Sequence, residues 1–376
     1  MTTLDTKLAD LLSPITAGQI NAATRVWMAP LTRSRSKQPG DIPWELNAEY
    51  YAQRADPKEG AAVIISEATQ VSQQGKGYAF TPGIYSPEQV EGWKLVTNAV
   101  HEKGGLILAQ LWHVGRISHT DLQPNGGKPV APSAIRADSK TYTTKDKQLV
   151  PTSEPRALDI DEIPGVVDQF RQAAQNAKDA GFDGVEIHGA NGYLLQQFLR
   201  GSTNKRTDGY GGSLQNRARF GLEVARAVLT VWEPGNVGYR VSPMGEGADD
   251  PQDQPIDTYS YLATQLGKMG LAYIHVVEAF RDTARNEQSE PVYAAIRKAF
   301  RDAGGHAYIA NGEYSAGDAA ERIAQDEADA IAFGKPFISN PDLAERFRRD
   351  APLNEWDRDT FYGGGAEGYT TYPSLD

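Results

Sequence analysis

Three polar side chains follow an apolar run in the stretch VEIHGANGY, residues 185–193. His188, Asn191 and Tyr193 stand within six positions of one another, and the two intervening glycines allow the backbone to turn tightly. An imidazole, a carboxamide and a phenol together can hold an oxygen on which negative charge develops and can supply a proton nearby. The same residues would also suit a strand-to-helix turn in which the polar groups only satisfy the backbone. The stretch by itself leaves both interpretations open.

The composition excludes several kinds of chemistry. The chain has 376 residues, a formal net charge of −11 and no cysteine. The negative charge disfavours nucleic acid and anionic membrane surfaces as partners. Without cysteine there are no disulfides, thiolate nucleophiles or iron–sulfur clusters, and the six histidines show no metal-ligand spacing, so we expect no metal site. No signal peptide and no run long enough to span a membrane is evident, which predicts a cytoplasmic protein.

Short apolar runs alternate with helical segments along the chain. The predicted strands are residues 25–29, 62–67, 106–111, 184–187, 237–241, 272–277, 307–310 and 330–333. Helices are predicted at residues 87–103, 161–180, 216–231, 257–269, 291–303, 315–325 and 341–349. This alternation predicts an α/β fold, a (β/α)₈ TIM barrel, built as one domain over residues 1–376. A doubly wound open sheet is the competing topology, and it would usually carry a glycine-rich turn after its first strand.

Two segments fall outside the barrel repeat. Short apolar pairs around a turn at residues 15–20 predict an N-terminal hairpin that caps the bottom of the barrel. Residues 112–159, after the third strand, are rich in proline, serine and threonine and lack helical periodicity. A loop of this length in a compact domain is typically functional or a small excursion domain. We therefore expect a long excursion loop after strand three.

In such a barrel the chemistry lies at the carboxyl ends of the strands. The group from His188 to Tyr193 follows strand four. Turns after strands seven and eight contain Gly312 and Gly334, and such turns are typical of a phosphate cradle built from backbone N–H groups. Lys335 adds a positive charge beside the second turn. The sequence therefore predicts a ligand that carries a phosphate.

Six motifs, in order along the chain, resemble those of the old yellow enzyme family of FMN-dependent ene-reductases. The motifs are MAPLTR (28–33), QLWHVGR (110–116), VEIHGANGY (185–193), NKRTDGYGGS (204–213), FGKPFISNP (333–341) and FYGGGAEGY (361–369). The resemblance runs over essentially the whole chain. Within the family it is to the bacterial branch that includes nitrate ester and pentaerythritol tetranitrate reductases. It implies tightly and non-covalently bound FMN, with NADPH or NADH as the reductant.

The resemblance also implies roles for individual residues. Hydride passes from N5 of the flavin to the β-carbon of an activated alkene, an α,β-unsaturated carbonyl or nitro compound. His188 and Asn191 would hydrogen-bond the substrate oxygen, and Tyr193 would protonate the α-carbon, for which a phenol with a pKa near ~10 is suited. The implied cofactor-binding residues are Pro30, Leu31, Thr32, Ala68, Gln110, Arg240, Gly312, Gly334 and Lys335. Trp112, Tyr78 and Tyr362 would line the substrate side together with His188 and Asn191.

Some expectations remain alternatives at this point. Lys335 stands where several relatives have arginine, and Asn191 stands where others have a second histidine. Nitrate esters are a further substrate class, and both monomers and homodimers occur among such relatives. A flavin-independent barrel hydrolase or lyase acting on a phosphorylated small molecule is the competing function. Residues 243–257 and 279–290 match no motif, and the second loop is hypothesised to reach over the active site.

Overall fold

Eight parallel strands close into a barrel. The computed structural model of the protein describes residues 8–143, 149–245, 253–279 and 285–376. Each barrel strand pairs with the next one along the chain, and the eighth pairs with the first. The strands are β1 Val26–Met28, β2 Val63–Ile65, β3 Ile107–Trp112, β4 Gly184–Gly189, β5 Val237–Val241, β6 Tyr273–Val277, β7 Ala307–Asn311 and β8 Ala330–Phe333. This confirms the predicted (β/α)₈ barrel.

Helices separate the strands. They are α1 Glu45–Gln53, α2 Pro87–His101, α3 Ile163–Asp179, α4 Leu194–Leu199, α5 Leu214–Val228, α6 Pro255–Lys268, α7 Glu290–Asp302, α8 Ala316–Ala324, α9 Lys335–Ser339 and α10 Leu343–Arg349. Seven of them match a predicted helix to within three residues at each end. Clear start signals explain that accuracy: serine side chains cap α2, α5 and α8, and proline occupies the first turn of α2, α3, α6 and α7. The three helices that were not predicted are α1, α4 and α9, which are short.

The core has two layers around the strands. Outside the barrel, the helices pack their apolar faces against one side of each strand. Inside the barrel, alternate residues of the same strands, among them Trp27, Tyr273 and Ile309, form a second cluster. The hairpin strands Ile15–Ala17 and Ile20–Ala22 contribute to that inner cluster, and Gln19 donates its backbone N–H to Gly235 O at 2.8 Å. The predicted hairpin therefore closes the bottom of the barrel and leaves the carboxyl ends of the strands open.

The segment after β3 forms the predicted excursion. Its described residues carry an antiparallel pair, Lys140–Tyr142 with Leu149–Pro151, and a parallel pair, Val130–Ala131 with Arg156–Ala157. Tyr142 O accepts from the backbone N–H of Ala79, so the excursion packs on the loop after β2. Residues 144–148, and residues 246–252 and 280–284 of the two loops without a motif, lie outside the described residues. Within the described part of the chain, no helix is both long and apolar enough to cross a bilayer.

Candidate active site at the carboxyl ends of the strands

His188 is a neutral hydrogen-bond donor at the top of β4. Burial, reinforced by the nearby positive charge of Arg240, lowers the pKa of His188 well below its ordinary value. Its Nδ1 accepts the backbone N–H of Ala190 at 3.3 Å. Because a neutral imidazole carries one proton, that proton is on Nε2. The turn after β4 thus fixes both the charge and the tautomer of the imidazole.

Tyr193 lies beside His188 in an aromatic cluster. Its ring contacts the His188 ring edge-on at 5.1 Å between centroids, and the Trp112 ring at 5.0 Å. Tyr78 stacks on Trp112 at 5.8 Å, and its hydroxyl lies 3.3 Å from the hydroxyl of Tyr193. Ala68 belongs to the same cluster. The structure therefore brings together residues predicted from four separate parts of the sequence.

Asn191 is held by the turn that follows β4. It adopts a left-handed backbone conformation with φ of 58°, and its backbone N–H donates to Ser242 Oγ at 2.7 Å. Gln196 braces this turn, because its Oε1 accepts from Gly192 N at 2.7 Å and its Nε2 donates to Ser242 O at 2.7 Å. Among the described residues, Asn191 Oδ1 is buried and has no hydrogen-bond partner. The backbone at Asn191 is thus fixed, while its carboxamide oxygen is not bonded to another described residue.

Gln110 and Arg240 reach the same end of the barrel from β3 and β5. Arg240 is the register partner of His188, and its Nη2 donates to Asn311 Oδ1 at 2.7 Å. Asn311 in turn donates to Ala332 O at 2.7 Å, which connects the ends of β5, β7 and β8. Gln110 Nε2 donates to Glu186 Oε1 at 2.7 Å. Both predicted flavin ligands are therefore anchored inside the barrel.

The ends of β1 and β8 are also adjacent. Ala29 N donates to Phe333 O at 2.9 Å, so the segment Pro30, Leu31 and Thr32 runs beside Gly334. A Cβ built on Gly334 would meet Leu31 Cδ2 at 3.5 Å, which is ordinary contact. Gly312, at the end of β7, has φ of 157° and accepts through its carbonyl from Arg285 Nη1 at 3.1 Å. The predicted cradle residues thus lie at neighbouring strand ends.

Two predicted residues lie further out. Lys335 is about half exposed and pairs with Glu313, with 2.6 Å between Nζ and Oε1. The Tyr362 side chain is 62% exposed and packs edge-on against Phe361. The structure does not draw either side chain into the cluster around Trp112. Their roles toward phosphate and substrate stay predictions.

Sequence reasoning missed several residues that hold the site together. Ser242 and Gln196 support the turn that carries Asn191, and Asn311 orients Arg240. Glu186 and His275 form a buried pair, with 2.7 Å between Oε2 and Nδ1. A charged residue in the middle of the apolar run before His188 was the available signal for Glu186. Its partner could not be identified because it lies 89 positions away.

Two buried polar atoms at this end of the barrel lack a hydrogen-bond partner among the described residues. Within the described part of the chain, Arg240 Nε and Trp112 Nε1 are buried and have no hydrogen-bond partner. Leaving such a group unpaired costs about 1–3 kcal/mol, so a native site usually retains it for a purpose. In the same part of the chain no cluster of three or more histidine, aspartate or glutamate residues could hold a metal ion. Both N–H groups can donate a hydrogen bond to a polar ligand at the carboxyl ends of the strands.

Comparisons with known proteins identify the class. The family model described as NADH:flavin oxidoreductase / NADH oxidase matches residues 10–354. The structure of morphinone reductase is 49% identical and superposes with a TM-score of 0.91, covering 97% of this chain and 96% of that one. The old yellow enzyme homologue from Zymomonas mobilis is 41% identical with a TM-score of 0.89, over 97% of this chain and 100% of that one. 12-oxophytodienoate reductase 1 from Oryza sativa subsp. japonica is 45% identical over 97% of this chain and 93% of that protein.

The chain belongs to the NADH:flavin oxidoreductase / NADH oxidase family. It is an FMN-dependent ene-reductase of the old yellow enzyme type, with NAD(P)H as the reductant. The residues present fit this cofactor, because Gln110 and Arg240 offer hydrogen-bonding groups at the strand ends and the pyrimidine edge of a flavin carries N–H and C=O groups. The comparisons do not favour the flavin-independent hydrolase or lyase.

Proposed function

We propose that the protein reduces carbon–carbon double bonds conjugated to a carbonyl or nitro group, with His188 and Asn191 binding the oxygen and Tyr193 supplying the proton. The observation that carries the proposal is the contact between the His188 imidazole and the Tyr193 ring, 5.1 Å between centroids, at the open end of the barrel. A donor and a phenol side by side match a substrate whose oxygen gains charge while its α-carbon gains a proton.

His188 meets the electrostatic requirement of this role. Since its Nδ1 accepts from Ala190 N, Nε2–H is the donor left for the substrate oxygen. The lowered pKa keeps the imidazole neutral, so it polarises the oxygen without giving up its proton. Asn191, whose Oδ1 has no partner among the described residues, can rotate its amide to add a second N–H donor.

Tyr193 completes the reaction. FMN, when bound, would supply the hydride for the β-carbon of the alkene. The substrate oxygen holds the resulting negative charge against His188 and Asn191, and the Tyr193 hydroxyl gives its proton to the α-carbon. The nearby Tyr78 hydroxyl, at 3.3 Å, is placed to stabilise the phenolate that Tyr193 becomes. Trp112 and Tyr78 then form one wall of the substrate pocket, and Tyr362 is proposed to cover it from outside.

The remaining predicted residues are proposed to hold FMN. Thr32, Ala68, Gln110 and Arg240 would surround the isoalloxazine edge, with Pro30 and Leu31 beside it. The phosphate would lie against Gly312, Gly334 and Lys335. The exposed pair of Lys335 with Glu313 shows that this lysine already has an anionic partner, which a phosphate would have to displace. Because surface ion pairs contribute only about 0–1 kcal/mol, that displacement is inexpensive.

The experiment that tests the proposal separates the two half-reactions. Tyr193→Phe removes the proton donor and should leave FMN reduction by NAD(P)H unchanged, while reoxidation by an enone slows by roughly 10²–10⁴-fold. Stopped-flow absorbance of the flavin measures both steps. Tyr210→Phe is the matched control, because its hydroxyl bonds Glu223 away from the site and its loss should affect neither step. Equal losses in both half-reactions of Tyr193→Phe contradict the assignment.

The substrate range is proposed from the same donors. The relatives' names refer to 12-oxophytodienoate and to morphinone, and we infer that ketones conjugated to an alkene are the principal class for this chain as well. Nitroalkenes and nitrate esters present a similar electron-poor oxygen, so they are further candidates. A steady-state panel of enones, nitroalkenes and nitrate esters, each run with NADPH and NADH, would rank them. Activity restricted to nitrate esters would contradict this order.

Three broader expectations also stay predictions. The whole chain is proposed to form one FMN-binding domain, which limited proteolysis of the holoprotein would test. A cytoplasmic location and a monomer or homodimer are the expected cellular and oligomeric states. Light scattering coupled to size-exclusion chromatography distinguishes these two states from larger assemblies.

A further inference from the structure

A buried carboxylate lies inside the barrel below the active site. Glu186 stands two residues before His188 on β4, so both side chains are on the same face of the strand. Gln110 Nε2 donates to Glu186 Oε1 at 2.7 Å, and His275 Nδ1 donates to Glu186 Oε2 at 2.7 Å. The reaction proposed above uses no carboxylate. Since burying a charge is costly, Glu186 requires another reason to be there.

Glu186 is ionised. Burial by itself raises the pKa of this carboxyl, but the hydrogen bonds from His275 and Gln110 and the positive charge of Arg240 outweigh burial and hold the pKa below its ordinary value. His275 is neutral, because burial lowers its pKa and its Nε2 has no partner among the described residues. The full charges of this cluster are therefore a negative Glu186 and a positive Arg240.

The carboxylate bonds Gln110 directly, and it bonds His275, which is the register partner of Arg240. Gln110 and Arg240 are the two side chains that are proposed to contact the flavin ring from inside the barrel. Glu186 is the register partner of Gln110 on β3, and Arg240 is the register partner of both His188 and His275. A carboxylate can only accept hydrogen bonds, so it holds the Gln110 amide with Nε2 toward β4. Oε1 is then the amide atom that can accept a hydrogen bond, which complements the N3–H group of a flavin.

We propose that Glu186 is a positioning residue that orients Gln110 and, as the counter-charge to Arg240, sets the reduction potential of the bound flavin. The inference rests on the proposed function, since it assumes that Gln110 and Arg240 hold FMN. Reduction adds negative charge to the flavin ring, and a positive Arg240 favours that charge. Glu186 offsets part of this effect, because charges in a buried cluster are weakly screened.

Glu186→Gln tests the charge. The variant keeps the side-chain size and an amide oxygen that can accept from Gln110, but it removes the negative charge. We expect the midpoint potential of FMN to become more positive, with at least a tenfold higher ratio of reduced to oxidised flavin at a fixed potential, about 30 mV for a two-electron couple. Dye-equilibrated anaerobic titration measures it. The matched control is Asp342→Asn, which removes a buried carboxylate that contacts Arg346 and the backbone of Leu375, and it should not shift the potential.

An unchanged or more negative potential in Glu186→Gln overturns the inference. Glu186→Asp is the second variant, which keeps the charge but shortens the side chain. The ratio of reduced to oxidised flavin at a fixed potential should therefore change by less than tenfold, while the FMN dissociation constant rises. If Glu186→Gln does not fold, a tenfold change of the ratio in Glu186→Asp overturns the charge role. A wild-type protein that binds no FMN refutes the proposed function. A yellow, active protein whose potential ignores the charge of Glu186 refutes only this inference.

Discussion

His113 gives a quantitative prediction about acid stability. It follows β3 directly, and its side chain is fully buried. Its Nδ1 accepts from Gly115 N at 3.1 Å, and within the described residues its Nε2 has no partner. Burial lowers the pKa of His113 from 6.5 to about 3. The folded protein therefore keeps this imidazole neutral at a pH at which the unfolded chain protonates it.

The magnitude follows from linkage. Because the folded pKa lies below the unfolded one, the unfolded state binds more protons between about pH 3 and 6.5, so stability is lost as the pH falls through that window. Between pH 7.5 and pH 5.0 the His113 contribution to the free energy of unfolding should decrease by about 2 kcal/mol. Burial raises the pKa of Glu67 to about 7. Its contribution to stability changes in the opposite direction to that of His113, because protonation of Glu67 favours the folded state as the pH falls.

Comparison with a variant isolates this one contribution. His113→Asn keeps an acceptor for Gly115 N and does not titrate, so other groups contribute equally in both proteins. Urea unfolding with excess FMN, followed by tryptophan fluorescence at pH 7.5 and 5.0, gives the two free energies. Between pH 7.5 and 5.0, the free energy of unfolding of the wild type should decrease by about 2 kcal/mol more than that of His113→Asn. Between pH 7.5 and 8.5 the two proteins should change equally. Equal losses between pH 7.5 and 5.0 would refute the buried neutral state.

Three further substitutions test other contacts. Arg54→Met should lower the free energy of unfolding by about 3–5 kcal/mol in urea titrations, because the buried guanidinium donates to Phe337 O at 2.8 Å and to Ile338 O at 2.9 Å. A loss under 1 kcal/mol would contradict this. Gly189→Ala should reduce thermal stability, and enone turnover with it, since the new Cβ would overlap the Tyr239 ring beside the end of β4; an unchanged melting temperature argues against it. Lys335→Gln should weaken FMN binding roughly two- to fivefold by fluorescence quenching, whereas unchanged affinity would exclude the phosphate contact.

Much of the fold was predictable because local signals agree with the tertiary structure. Each barrel strand was predicted to within two residues, since apolar runs bounded by turns are buried on both faces in a parallel barrel. Two of the helices that were not predicted, α1 and α4, lack a clear local signal. Helix α1 has Trp44 at its N-cap, without the serine cap that marked α2, α5 and α8, and α4 is too short to show a helical period.

The active site also has some properties that the sequence predicts and others that depend on the folded structure. The types and order of His188, Asn191 and Tyr193 are properties of the sequence, and the strand pattern placed them at the carboxyl end of β4. The tautomer of His188 follows from a backbone turn, and its neutral state follows from burial and from Arg240. Neither can be obtained until the barrel closes.

By itself the sequence determined the eight-strand alternation, the site motif on the fourth strand and, through its motifs, the family. Only the tertiary structure decided which side chains pair with each charged group. Gln110 and His275 lie 76 and 89 positions from Glu186, yet closure of the barrel puts both on its carboxylate. It also pairs Lys335 with Glu313, across 22 positions. The physical reason is that strand register and burial, which set distance and dielectric, exist only after distant strands have paired.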